Sequence, residues 1–175
     1  MIKEADVYVL SGLLAEHEQW SYRSLAERLR VPHPVVQRGL ARAGSADLYS
    51  AGRREVHLPH FEEFALHALR FIAPAELGRI VPGEPAAWAA EPMASEIRSS
   101  VDEPPPVWPY APGEVRGQAL EPLHPAAPEA VEDWAELGEI LAMLDSLRAG
   151  DARIRRVAGG LLSARLRERA TAVSS

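Results

Sequence analysis

The chain contains no cysteine, which excludes disulfides and thiolate metal sites and accords with a reducing compartment. No apolar run approaches the length that crosses a bilayer. The first twenty residues place acids early and lack the basic-then-apolar order of a signal peptide, so a soluble cytoplasmic protein with no membrane partner is expected. Glycine-rich phosphate loops, a nucleophile elbow, an HExxH pair and a paired-histidine relay are all missing. Among the many acids no spacing singles out a general acid with its base. The expectation is a non-enzyme without a cofactor.

What is present is ordinary in total and uneven in placement. The 175 residues are 47% hydrophobic and 25% charged, near the globular average, so a substantial core is expected in spite of fifteen prolines. The net charge of −6 divides into +1 over residues 1–60, −12 over 61–145 and +5 over 146–175. A weakly basic front and a basic tail can still present positive charge to phosphates, because local potential steers docking. The acidic middle argues against tight non-specific binding to nucleic acid.

The front carries the clearest motif. Ser21–Ala43 reads as two short helices joined by a tight turn. Ser21 can cap the first, whose Leu25, Ala26 and Leu29 share a face, and Val31 and Pro32 end it. Pro34 suits the start of the second helix, over 34–43, where Val36, Leu40 and Ala43 make an inward stripe. The opposite face carries Gln37, Arg38 and Arg42. In a DNA major groove such a face has chemical meaning: Gln pairs with adenine, and Arg with guanine or phosphate. Residues 3–16, with Ala5, Val9, Leu10, Leu13 and Leu14 at helical spacing, predict a supporting helix in front of the motif.

After the second helix Gly44 reads as a terminator, and 46–58 as two short strands around a turn with Gly52, Arg53 and Arg54 near its tip. A basic tip of this kind suits a flanking groove or the phosphate backbone. Tyr22 and Arg23, in the first turn of the first helix, can reach a phosphate, while Trp20 reads as a core anchor. The expected DNA-facing set is Tyr22, Arg23, His33, Pro34, Gln37, Arg38, Arg42, Arg53 and Arg54.

The run SxxxLAxxLxVxxxxVxRxLxxA, filled by Ser21, Leu25, Ala26, Leu29, Val31, Val36, Arg38, Leu40 and Ala43, resembles the winged helix-turn-helix of bacterial MarR-type transcriptional regulators over about the first third of the chain. At Pro34 and Val35 the sequence departs from common recognition helices, which carry small polar residues there. A looser likeness, through Gly83, Pro85, Ala87, Ala89, Ala90 and Pro92 and the later runs PPVWP and GEVRGQALEPLHP, extends to bacterial MarR-like proteins along most of the chain. Some genes of that group adjoin nucleotidyltransferase-type genes, as antitoxin and toxin genes do. The resemblance thus implies two functions. One is a homodimeric regulator that reads double-stranded DNA; the other is an antitoxin-like module that binds a partner encoded nearby while autoregulating its operon.

Residues 59–72 predict one helix bearing all three phenylalanines, Phe61, Phe64 and Phe71, toward a core or a subunit interface. His57, His60, Glu63 and His67 have the residue types of a metal cluster, but Pro59 breaks the local geometry and no metal is assigned. Twelve of the fifteen prolines fall between Ala73 and Pro128, where long helices or strands are not expected; the prediction is an ordered, acidic, extended arm carrying Trp88, Trp108 and Tyr110. Helical periodicity returns at Glu129 and again after Asp151, predicting a C-terminal hairpin suited to dimerisation or partner binding. The expected architecture is mainly α with a small β wing: residues 1–72 a winged helix-turn-helix, 73–128 the arm, 129–175 the helical region.

Overall fold

A computed structural model describes residues 1–174 as a mainly helical chain with two small sheets. Helix α1 spans Glu4–Ala15 and is buried without a break from Asp6 to Ala15. It is therefore a central rod rather than an amphipathic surface helix. The Tyr8 hydroxyl donates to the Leu29 carbonyl at 2.9 Å and its ring stacks on His124 at 5.1 Å, so one side chain joins the front of the chain to its later part.

Helix α2 (Tyr22–Leu29) begins as the sequence suggests. Ser21 Oγ accepts from Ser24 N–H at 3.0 Å and Ser24 Oγ accepts from Ser21 N–H at 2.9 Å, a reciprocal cap. Arg30, in the left-handed region at φ 57°, ends it. Helix α3 (His33–Ser45) is longer at both ends than the 34–43 expected, and Gly44 lies inside it with no left-handed turn. The chain reverses instead at Asp47, φ 58°. Strands β1 (Tyr49–Ser50) and β2 (Glu55–Val56) pair antiparallel, Tyr49 opposite Val56, in the hairpin expected there.

The single helix expected over 59–72 is two pieces, α4 (Leu58–His67) and α5 (Leu69–Ile72), broken at Ala68. The buried stripe continues across the break at Phe61, Ala65, Leu69 and Ala73, whereas Phe71, off that stripe, is 67% exposed.

The region expected as an extended arm carries a sheet. Strands β3 (Ile80–Pro85), β4 (Pro106–Pro109) and β5 (Val115–Ala119) close on one another, β3 antiparallel to both others and β4 parallel to β5. Prolines are tolerated because they are used as acceptors. The Pro82, Pro105 and Pro106 carbonyls take the N–H groups of Tyr110, Gln118 and Ala86, so the donors that proline lacks are not needed. Closure brings backbones into contact. A Cβ on Gly83 would lie 2.0 Å from the Trp108 carbonyl oxygen, and one on Gly117 2.1 Å from that of Pro105. Short helix α6 (Met93–Glu96) lies in the connection between β3 and β4, and α7 (Ala127–Ala130) follows β5.

Helix α8 (Ala135–Ala149) and helix α9 (Ala152–Val173) form the expected C-terminal hairpin, with Asp151 Oδ1 accepting from Ile154 N–H at 2.9 Å as its cap. The hairpin does not leave a bare face for a second chain on α8. That helix is buried from Ile140 to Arg148 against α1, α5 and α9. Within it lies a buried ion pair: Arg148 Nη1 donates to Asp145 Oδ1 at 2.7 Å, both side chains 1% exposed. Trp108 Nε1 donates to the other carboxylate oxygen at 2.7 Å, and Arg148 Nε reaches the Ala73 carbonyl at 2.9 Å. Burial pushes the Asp145 carboxyl above its ordinary value, and Arg148 and Trp108 pull it part of the way back. Among the described residues, no helix is long and apolar enough to cross a membrane.

Candidate functional site

Each side of α3 has a distinct destination. Val36, Leu40 and Ala43 face inward and are buried, as the stripe requires. His33, Pro34, Gln37, Arg38 and Ala41 stand in water on the outer side. Among the described residues, neither Gln37 nor Arg38 has a side-chain hydrogen bond or ion pair. An amide and a guanidinium with every donor unspent are thus adjacent in the chain on an exposed helix.

Arg42 does not belong to that face. Its Nε and Nη2 donate to the two oxygens of Asp6 at 2.8 and 2.6 Å, and Asp6 is fully buried at the start of α1. The Asp6 carboxylate, accepting these bonds, holds the guanidinium above its ordinary pKa. Arg42, expected among the DNA-facing residues, is in the structure a tether that pins α3 on α1. Its cause is simple: an acid inside an apolar helix needs a cation, and Arg42 is on the side of α3 that reaches it.

At the other end of α3 the structure gathers four groups. Tyr22 is half-buried, edge-on to Trp20 at 5.7 Å and to His33 at 6.0 Å between ring centroids. Arg54 lies over Trp20, 4.4 Å from the ring centroid, and its Nη2 donates to the Trp20 carbonyl at 2.9 Å. Arg54 also adopts φ 57°, so the turn is shaped to bring it back onto the aromatic ring. It fastens the hairpin to α2 while remaining exposed near the expected tip. Arg53 projects into water, 3.8 Å from Glu55, and Arg23 lies exposed 3.9 Å from Glu27. Both pairings are loose and screened.

The remaining arginines of this region are committed elsewhere. Arg28 pairs with Glu16 at 2.7 Å and lies over Trp134 at 3.7 Å, and Arg30 pairs with Asp133 at 2.9 Å. Arg23, Arg38 and Arg53, together with the exposed but tethered Arg54, are therefore cations this surface can offer a phosphate or a base edge. Comparison of the chain with protein-family models, curated proteins and solved structures finds no match.

Sequence reasoning missed two features that shape this surface, the burial of Asp6 and the clamping role of Trp20. Asp6 had a signal: an acid between Ala5 and Val7 in a run that is otherwise uncharged to Ala15. Trp20 had none, since its partner depends on where the hairpin folds. Two histidines of the candidate metal cluster, His57 and His60, have other uses. His57 Nδ1 accepts from the His60 N–H at 3.3 Å, and His60 Nδ1 meets the Asp47 carbonyl at 2.8 Å. Among the described residues, no three side chains converge in a way that could hold a metal ion.

Proposed function

We propose that this chain is a sequence-specific, double-stranded DNA-binding transcriptional regulator of the winged helix-turn-helix kind, related to MarR-type regulators and acting in the cytoplasm. Helix α3 reads the major groove and the β1–β2 hairpin serves as the wing. The observation that carries the reading is the outer side of α3, where Gln37 and Arg38 are exposed and, among the described residues, unpartnered beside a hairpin that presents Arg53. Gln can address adenine and Arg guanine, both in a bidentate manner. Arg53 and Arg23 then fix the register on phosphate, which carries no sequence information. With so few cations and a net charge of −6, non-specific affinity is low, and discrimination depends on base contacts. A homodimer on two-fold-related half-sites supplies the second recognition helix.

A second reading is a partner-binding, antitoxin-like module. It is favoured by Phe71, Ile72 and Ile80, which are 67%, 45% and 45% exposed in the most acidic part of the chain. One titration separates the two. Purified protein is bound to the duplex upstream of its own gene, against scrambled competitor, at two salt concentrations. Competitor-resistant binding that weakens with salt sustains the regulator; no preference over competitor leaves the partner-binding module.

A further inference from the structure

Arg148 draws two stretches of chain to one end of the small sheet. Its Nε donates to the Ala73 carbonyl, just past α5, at 2.9 Å, and its Nη1 to the Glu121 carbonyl, just past β5, at 3.2 Å. At the same end Ile80 of β3 and Pro106 of β4 both pair with Gln118 of β5, and the Gln118 N–H donates to the Pro105 carbonyl at 2.8 Å. The end of α5, the start of β3 and the loop that enters β4 are therefore neighbours.

That end is uncovered. Phe71, Ile72 and Ile80 are exposed, and residues 98–104 are exposed without interruption, Val101 completely. Large apolar side chains left in water in one place mark a contact surface. Charge divides the area in two. Arg70 lies over the Phe71 ring at 4.2 Å, and Arg79 and Arg116 stand exposed; among the described residues none of the three has a carboxylate partner. Arg116 pairs with Pro82, two residues along from the pair of Ile80 and Gln118, so strand alternation sets it on the same face as Ile80. The loop has the opposite sign: Asp102 and Glu103 follow Val101, and among the described residues no cation pairs with either. Glu76 and Glu121 near the arginines, and Arg98 at the start of the loop, carry the minority charges, which leaves the first patch net positive and the loop net negative.

One chain thus holds, side by side, an apolar and basic patch and an apolar and acidic loop. A two-fold axis between them sets each patch against the loop of the other copy, as a self-complementary interface requires. We infer that this end of the small sheet is a dimer surface, where Val101, Asp102 and Glu103 of one copy lie on Phe71, Ile80, Arg79 and Arg116 of the other. The inference rests on the homodimer of the regulator reading and names its surface; contact with DNA plays no part in it. It places the interface on the sheet rather than on the α8–α9 hairpin, whose α8 is already buried within one chain.

Sedimentation velocity without DNA tests it, so that its failure is distinct from failure of the DNA reading. The parent chain is expected to sediment with twice the mass of one chain. Two charge reversals are made at exposed positions, Arg79→Glu with Arg116→Glu, and Asp102→Arg with Glu103→Arg. Each alone raises the dimer dissociation constant about ten-fold or more, because like charges then face one another. An equimolar mixture of the two recovers the dimer, since every patch again meets a loop of opposite sign. Phe71→Ser, also at an exposed position, weakens the dimer about ten-fold through the lost apolar contact. Arg153→Glu with Arg156→Glu, exposed on α9, leaves it unchanged. Circular dichroism of each variant shows that the fold is kept. A monomeric parent, a dimer that survives both reversals, no recovery in the mixture, or an equal loss from the α9 reversal would overturn the assignment.

Discussion

Replacing Arg42 with methionine separates a structural arginine from a DNA-reading one. Asp6 is fully buried and accepts three hydrogen bonds, from Lys3 N–H at 2.9 Å and from two nitrogens of Arg42 at 2.8 and 2.6 Å. Arg42→Met removes two of the three together with the paired cation, leaving a buried carboxylate on one backbone donor. A full rupture of a buried pair costs about 3–5 kcal/mol. The Arg42 side chain is 29% exposed, so water can partly replace it, and the expected loss is about 2–4 kcal/mol. For a chain of this length that corresponds to roughly 5–15 °C in Tm. Urea denaturation with an unchanged m-value measures it. Adding Asp6→Asn to Arg42→Met removes the orphaned charge and should restore about half of the loss, a coupling that a double-mutant cycle reads directly. If Arg42→Met stays within about 0.5 kcal/mol of the parent yet abolishes specific DNA binding, the tether is refuted and Arg42 is a contact after all.

Other expectations concern the outer face, the buried network and the small sheet. Arg38→Ala should lower affinity for the specific duplex by about 1–3 kcal/mol with little effect on scrambled DNA, whereas Arg53→Ala should weaken all sequences alike and reduce the salt slope by about one; competition titrations at two ionic strengths distinguish them. Trp108→Phe removes a hydrogen bond to the Asp145 carboxylate and should cost about 1.5–3 kcal/mol. Because the Asp145 carboxyl is raised in the folded state, the native protein holds more protons than the unfolded chain between the ordinary carboxylate value and the raised one, and this residue's contribution falls as pH rises through that window. Trp108 supports the charged form, so the Trp108→Phe deficit should be larger at neutral pH than in acid; a pH series of denaturation midpoints checks the sign. Gly83→Ala places a methyl group against the Trp108 carbonyl and should cost at least about 3 kcal/mol, read in the same assay.

Helical periodicity and caps were legible in the chain because both are local. Ser21 and Asp151 cap their helices, and the stripe of α3 buries as spaced, whereas on α9 Ala158, Leu162 and Leu166 bury while Ile154, Val157 and Leu161 stay half-buried. The hairpin at Tyr49–Val56 also follows from its turn residues. What failed depends on distant partners. Twelve prolines in one segment read as an obstacle to strands, yet a closed three-stranded sheet uses proline carbonyls as acceptors, and only the register reveals that. Arg42 and Arg38 look alike in sequence at an i, i+4 spacing; one side chain finds Asp6, thirty-six residues away, and the other finds water. Arg54 likewise had the composition of a tip residue and the position of a clamp. The candidate DNA-facing surface was thus visible as a helix side, while its inventory of free cations was not.

Helix α1 has no idle face. It is packed by α3 on one side and by α8 on another, and its Leu13 carbonyl is reached by Arg169 from the far end of the chain. A fragment cut at residue 72 would keep every element of the proposed DNA-facing surface and lose the wall behind it. The segment most tempting to excise and graft as a reader of duplexes is therefore the one least suited to travel, and swaps between such proteins should exchange side chains on α3 rather than the first seventy residues.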